Sequence, residues 1–137
     1  EARSGRRGIV GVNIGANKDA ADRIADYAAG AARMAGVADY LTINISSPNT
    51  PGLRALQDKG ALEELLARTL EARGPDGPPV FLKVAPDLEP ADIDDIAQVA
   101  IDRGLDAVIV SNTTISRPTS RSSACATSAP PPGAGCR

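Results

Sequence analysis

The stretch that decides the fold is residues 79–110, Pro-Val-Phe-Leu-Lys-Val-Ala-Pro-Asp-Leu-Glu-Pro-Ala-Asp-Ile-Asp-Asp-Ile-Ala-Gln-Val-Ala-Ile-Asp-Arg-Gly-Leu-Asp-Ala-Val-Ile-Val. Its ends, Pro79–Val84 and Ala107–Val110, are short, almost continuously apolar and rich in β-branched residues. Strands of a buried parallel sheet read this way. Between them, from Pro90 to Arg103, Ile93, Ile96, Ala97 and Ala100 recur at helical spacing. Pro90 stands where a helix begins and a missing N–H costs little, and Gly104 stands just past its end. The stretch is a strand, a crossover helix and a parallel strand.

The same grammar extends towards the N-terminus. Gly8–Ile14 and Tyr40–Ile45 are further apolar runs. Asp19–Ala35 places Ile24, Ala28, Ala31 and Ala35 on one helical face, and Ala61–Arg73 places Leu62, Leu65, Leu66 and Leu70 on another. Gly36 and Gly74 follow these helices at the usual C′ position. The order β-α-β-α-β-α-β implies a parallel sheet with right-handed crossovers. Two α/β architectures fit it, a doubly wound sheet and part of a (β/α)8 barrel. A complete barrel needs about 250 residues, so four strands and three helices in a 137-residue chain make roughly half of one.

Composition narrows the functions. The net charge is -2 with no evident basic face, which argues against nucleic-acid binding. Aromatics make up 2% of the chain, so the core rests on Ala, Val, Leu and Ile. There is no histidine, which removes the commonest general base and metal ligand, and no metal site is expected. Cys125 and Cys136 form neither a CxxC nor a zinc spacing, and the chain reads as intracellular. No apolar run approaches the roughly 20 residues that span a bilayer. Residues 119–137 are dominated by Ser, Ala, Pro and Gly, and read as a disordered tail after a folded unit over residues 1–118.

Each strand run ends in polar groups: Asn13 and Asn17-Lys18; then Asn44, Ser46, Ser47, Asn49 and Thr50; then Lys83; then Ser111-Asn112-Thr113-Thr114. In α/β sheets and barrels the carboxyl ends of the strands face the ligand crevice. One polar end is ordinary turn chemistry; four in succession point to a site. Lys83 is the sharpest case, because a lysine within a buried strand calls for a partner. It either reaches out to water at the strand end or faces an anion. Pro48, Pro51 and Gly52 make the loop at Ser47 rigid and sharply turned. There is no GxGxxG dinucleotide fingerprint.

Four segments together resemble the dihydroorotate dehydrogenase family. They are Gly11-Val12-Asn13-Ile14-Gly15-Ala16-Asn17-Lys18, Asn44-Ile45-Ser46-Ser47-Pro48-Asn49-Thr50-Pro51-Gly52-Leu53-Arg54, Leu82-Lys83-Val84-Ala85-Pro86-Asp87-Leu88, and Val110-Ser111-Asn112-Thr113-Thr114-Ile115-Ser116-Arg117-Pro118. The resemblance runs in register from about Gly8 to Pro118. It implies a partial (β/α)8 barrel, FMN as cofactor, and oxidation of (S)-dihydroorotate to orotate in pyrimidine biosynthesis. It implies Ser47 as catalytic base; serine at this position is similar to the quinone-linked members, whereas soluble relatives carry cysteine. It further implies Asn13, Asn44, Lys83 and Ser111 as FMN contacts, and Asn44, Asn49, Asn112 and Thr113 as substrate contacts. Ser111 stands where the family usually has threonine. Quinone is the implied electron acceptor, with peripheral attachment at the cytoplasmic side of the cell membrane for the full-length member.

The family's earlier FMN contacts, its membrane-facing helical pair and its later phosphate-binding loops have no counterpart in these residues. The expectation is therefore that the 137-residue chain is inactive alone, and that its tail derives from a shifted reading frame. Three other readings stand beside this one: a soluble Cys-type relative, which Ser47 disfavours; a non-catalytic product; and a generic α/β module for another small ligand. The module explains the polar strand ends but not four motifs in register.

Overall fold

In the computed structural model, residues 8–47, 49 and 52–114 are described. The tail at 119–137, together with Pro48, Thr50 and Pro51, lies outside the described residues. The elements follow in the expected order: β1 (Gly11–Ile14), α1 (Arg23–Met34), β2 (Tyr40–Asn44), a 3-10 helix (Leu53–Gln57), α2 (Lys59–Arg73), β3 (Val80–Val84), α3 (Pro90–Asp102) and β4 (Ala107–Val110). The four strands form one parallel sheet in the order β1-β2-β3-β4. That order decides between the two architectures. A doubly wound sheet reverses its strand order at a switch point; this one advances one strand at a time, as the wall of a (β/α)8 barrel does.

Alternation of side chains along each strand divides the sheet into two faces. One face carries Ile14, Leu41, Ile43, Val80, Leu82 and Val84, which pack with Tyr27, Ala31, Leu62, Leu65, Leu66, Ile96 and Val99 into a single core. Each fully buried Leu or Ile there contributes about 1.5–3 kcal/mol relative to exposure. The opposite face bears no helix and carries the register neighbours Asn13, Thr42 and Phe81, then Asn44, Lys83 and Ile109. The strands therefore alternate in burial, as β3 does most clearly, and are not apolar on both sides.

Start signals that the apolar pattern does not carry set the helix boundaries. Asp22 caps α1 by accepting from the Ala25 N–H at 2.9 Å, so the helix begins four residues after Asp19. Asp58 caps α2 through the N–H groups of Gly60 and Ala61, which moves that start back to Lys59. At α3 the Asp92 carboxylate accepts from the Glu89 N–H, half of a capping box. The N-terminal ends of the strands carry a repeated device. Asp39 accepts from the Val10 N–H at 2.7 Å, and Asp106 accepts from the Val80 N–H at 2.8 Å. Each carboxylate precedes one strand and closes the start of its neighbour.

Three expectations need correction. The buried seam of α1 runs through Tyr27 and Ala31, while Ile24, Ala28 and Ala35 are only partly buried, because the Tyr27 ring fills the space between helix and sheet end. On α3, Ile96, Val99 and Ala100 are buried while Ile93 and Ala97 are exposed. Those two face an apolar groove of about 310 Å³ with Val108 and Val110, on the side where a barrel sets its next helix. Gly36 does not take a positive φ; among the described glycines only Gly52, Gly74 and Gly104 do.

Candidate active site

The carboxyl ends of β2, β3 and β4 converge with the turns that follow them. Asn44 and Lys83 are register partners on the helix-free face, at the last turn of β2 and β3. Beneath them lie Tyr40 and Phe81, stacked with ring centroids 4.9 Å apart and planes inclined by 22°. Gly11 permits this, since a Cβ there would sit 2.1 Å from the Tyr40 ring. Two of the chain's three aromatic residues thus form an apolar floor under an amide and an ammonium group. The third, Tyr27, stands behind the site. It is wholly buried, and its hydroxyl donates to the Asn44 backbone carbonyl at 2.6 Å.

Hydrogen bonds join the site amides across strands. Ser46 donates from its backbone N–H and from Oγ to Asn44 Oδ1, at 3.1 and 2.7 Å. Asn112, beyond β4, donates from Nδ2 to Ser46 Oγ at 3.0 Å and to the Ser46 carbonyl at 3.3 Å. Its own Oδ1 accepts from the Thr113 N–H at 2.7 Å. Arg54 donates from Nε to the Ser46 carbonyl and pairs through Nη1 with Asp87 Oδ2 at 3.3 Å. Thr114 Oγ1 donates to the other Asp87 oxygen. The turns after β2, β3 and β4 are thereby tied into one collar. Gln57 anchors it from below: its Oε1 accepts from the buried Ala85 N–H at 2.8 Å, and its Nε2 donates to the Arg54 carbonyl at 3.3 Å.

Ser47 is half-buried beside this network. The Asn49 N–H donates to Ser47 Oγ at 3.3 Å. A donor aimed at that oxygen favours negative charge developing on it. Gly52, with φ of +70°, turns the chain sharply into the 3-10 helix, as its place in the motif leads one to expect. Asn49 and Thr113 are exposed. Ser111 Oγ donates to the Asn112 carbonyl at 3.2 Å. Asn13 is exposed on β1, level with Thr42, and among the described residues no hydrogen bond links it to Asn44. Among the same residues no ion pair engages the half-buried Lys83 ammonium.

Sequence reading assigned no role to Ser46, Arg54, Gln57, Asp87 or Tyr27. Arg54 and Asp87 lie within the quoted motifs. Ser46 is the polar residue nearest both Asn44 and Ser47. Tyr27 carried a signal in the scarcity of aromatics. Gln57 carried none, since its value depends on a backbone N–H 28 residues away.

Fold and site together define a segment of a parallel α/β barrel with strand-end amides, a hydroxyl and a lysine over an apolar floor. Comparison with known proteins gives the family. The model for dihydroorotate dehydrogenase matches residues 2–135, and the chain belongs to that family. It is 70% identical over 117 residues to the dihydroorotate dehydrogenase (quinone) of Erythrobacter litoralis, covering 85% of this chain and 34% of that protein. It is 75% identical over 111 residues to that of Sphingopyxis alaskensis, covering 80% of this chain and 31% of that protein. The ligand-free dihydroorotate dehydrogenase structure from Eimeria tenella superposes with a TM-score of 0.79 at 40% identity, covering 88% of this chain and 38% of that one. Its complex with ferulenol gives 0.78 at 40% identity, over 85% and 36% of the two chains. The chain is therefore part of a (β/α)8 barrel, and it spans about a third of the length of these relatives.

Proposed function

We propose that this chain contributes the proton-abstracting half of the site in an FMN-dependent oxidation of (S)-dihydroorotate to orotate, with a quinone as final electron acceptor. The observation that carries this reading is the convergence of Ser47, Asn44, Asn112 and Lys83 at the carboxyl ends of adjacent parallel strands, in a chain of this family. The donor set suits the cofactor. Asn13, Asn44 and Lys83 lie on the helix-free face of neighbouring strands, and amides and an ammonium complement a ring edge rich in carbonyl acceptors. Ser111 is the further contact in this reading. When bound, FMN supplies the two-electron acceptor for the hydride leaving the substrate ring.

The chain's own residues do the remainder. Ser47 takes a proton from the ring carbon adjacent to the one that loses hydride. A serine hydroxyl is a weak base, so it acts through a relay and under the Asn49 N–H that steadies charge on its oxygen. Asn44, Asn49, Asn112 and Thr113 hold the substrate, whose ring offers both donors and acceptors. Lys83 would hold the bound ring and set positive charge beside it, which favours its accepting electrons. The Tyr40–Phe81 floor closes the lower side to water.

Among the described residues no helix is long and apolar enough to cross a membrane. We place the working enzyme peripherally at the cytoplasmic face of the cell membrane, where a quinone is within reach. The segment has β1 and β4 as open edges, and we infer that activity needs the barrel strands beyond them. The test supplies dihydroorotate and a short-chain quinone to the flavin-loaded full-length protein that contains this segment. Orotate and reduced quinone should appear one for one. Turnover with fumarate but not with quinone would contradict the assignment of the acceptor, and failure to form orotate would contradict the reaction.

A further inference from the structure

Ser46 is wholly buried, and it stands between two of the amides given to the substrate. We infer that Ser46 is a positioning residue that fixes opposite hydrogen-bonding polarity on Asn44 and Asn112, so that Asn44 offers donors to a ligand and Asn112 offers an acceptor.

The polarity follows from two groups that can only donate. The backbone N–H of Ser46 faces one end of the Asn44 amide, so that end must be Oδ1. The backbone N–H of Thr113 faces one end of the Asn112 amide, so that end too must be Oδ1. The Ser46 hydroxyl lies between the amides. Against Asn44 Oδ1, which only accepts, it must donate; its own lone pair then accepts from Asn112 Nδ2. The result is a directed chain from Asn112 Nδ2 through Ser46 Oγ to Asn44 Oδ1, pinned at both ends by the backbone. An inverted amide would set donor against donor or acceptor against acceptor beside the buried Ser46, at the cost of an unmet hydrogen bond.

The remaining capacity is unequal. Asn44 has spent its oxygen on Ser46, leaving its NH2 group to face outward. Asn112 has spent both N–H groups on Ser46, at Oγ and at the carbonyl, leaving one lone pair on Oδ1. A ligand bridging the two must therefore show an acceptor to Asn44 and an N–H to Asn112. A pyrimidinedione ring carries that alternation, whereas a plain dicarboxylate shows acceptors to both. This inference rests on the proposed reading that both amides face the substrate.

The experiment uses the flavin-loaded full-length protein that contains this segment, with Ser46→Ala and Ser46→Cys variants. Orotate affinity is read from the perturbation of flavin absorbance, and side-chain amide exchange from spectra with 15N-labelled asparagine. Ser46→Ala should weaken orotate binding about five- to tenfold, with a larger effect on KM than on kcat. It should also speed the exchange of the Asn112 amide proton that faces Ser46 Oγ, while the proton held by the Ser46 carbonyl stays slow. Cysteine fills the space but donates weakly; its affinity should fall close to that of the alanine variant. A cysteine variant with wild-type affinity would mean that Ser46 merely fills space, and overturns the inference. So would exchange of the Oγ-facing Asn112 proton that stays slow in the alanine variant. The exchange measurement needs no orotate. A wild-type protein that binds FMN but not orotate would overturn the proposed substrate, while loss of amide protection in Ser46→Ala would still uphold the polarity.

Discussion

Replacing Tyr27 by phenylalanine separates two consequences of burying one hydroxyl. Tyr27 is fully buried in α1, and its hydroxyl holds the Asn44 carbonyl at 2.6 Å. Burial pushes its pKa from the ordinary 10.0 up to about 12, against smaller opposing effects from the Ala16 backbone and the Arg23 charge. At neutral pH the phenol is uncharged in folded and unfolded chains alike, so the variant loses only the hydrogen bond, about 1 kcal/mol. The folded pKa lies above the unfolded one. The contribution from the neutral phenol is thus fully present below pH 10.0, and is lost as pH rises towards 12 and the unfolded chain alone ionises. By pH 11.5 the wild type should have lost about 2 kcal/mol relative to the variant, and the two stabilities should cross at roughly pH 10.7. Urea unfolding of both proteins at intervals from pH 8 to 11.5 measures this. Groups common to the two proteins cancel in the difference. A stability difference that stays constant across the range would refute the argument, since it would mean that the buried phenol ionises as readily as a free one.

Three other perturbations address the collar, the floor and the cation. Gln57→Leu keeps the bulk but leaves the buried Ala85 N–H without its partner and frees the Arg54 carbonyl; urea unfolding should show a loss of about 2 kcal/mol. Gly11→Ala puts a Cβ 2.1 Å from the Tyr40 ring. The ring must leave its stack on Phe81, with a loss of about 1–3 kcal/mol and a weakened tyrosine near-ultraviolet circular dichroism signal. Lys83→Met in the flavin-loaded protein should lower the flavin midpoint potential and slow dihydroorotate-driven reduction about a hundredfold, with orotate affinity much less affected.

The fold was legible because a parallel sheet writes its strands as apolar runs and its crossovers as helical periodicity. Ala107–Val110 was read to the residue, because Asp106 and the polar Ser111 bracket it sharply. The N-terminal run was read too long: Gly8, Ile9 and Val10 are apolar or neutral yet exposed, and β1 pairs on one side only. The face of α3 was read too far round, because periodicity reports a helix without saying which neighbour will cover it. Ile93 therefore looked like core, and it is 52% exposed beside β4.

The site was legible one residue at a time, through the position of polar groups at strand ends. What joins them was not. Ser46 and Asn112 are 66 residues apart, Arg54 and Asp87 33 apart, and Tyr27 lies one helix before Asn44. Such partnerships depend on register and on the twist of the sheet. A local pattern carries neither.

The account turns on Ser47 as the group that removes the substrate proton, and a single turnover tests that most directly. Full-length, flavin-loaded proteins that contain this segment, wild-type and Ser47→Ala, are mixed with dihydroorotate in a rapid-mixing spectrophotometer without oxygen or quinone, and flavin bleaching is followed. The account predicts that bleaching in the variant slows by a factor of about 10²–10⁴, while orotate still binds to it. Bleaching at the wild-type rate in a variant that binds orotate normally would contradict it.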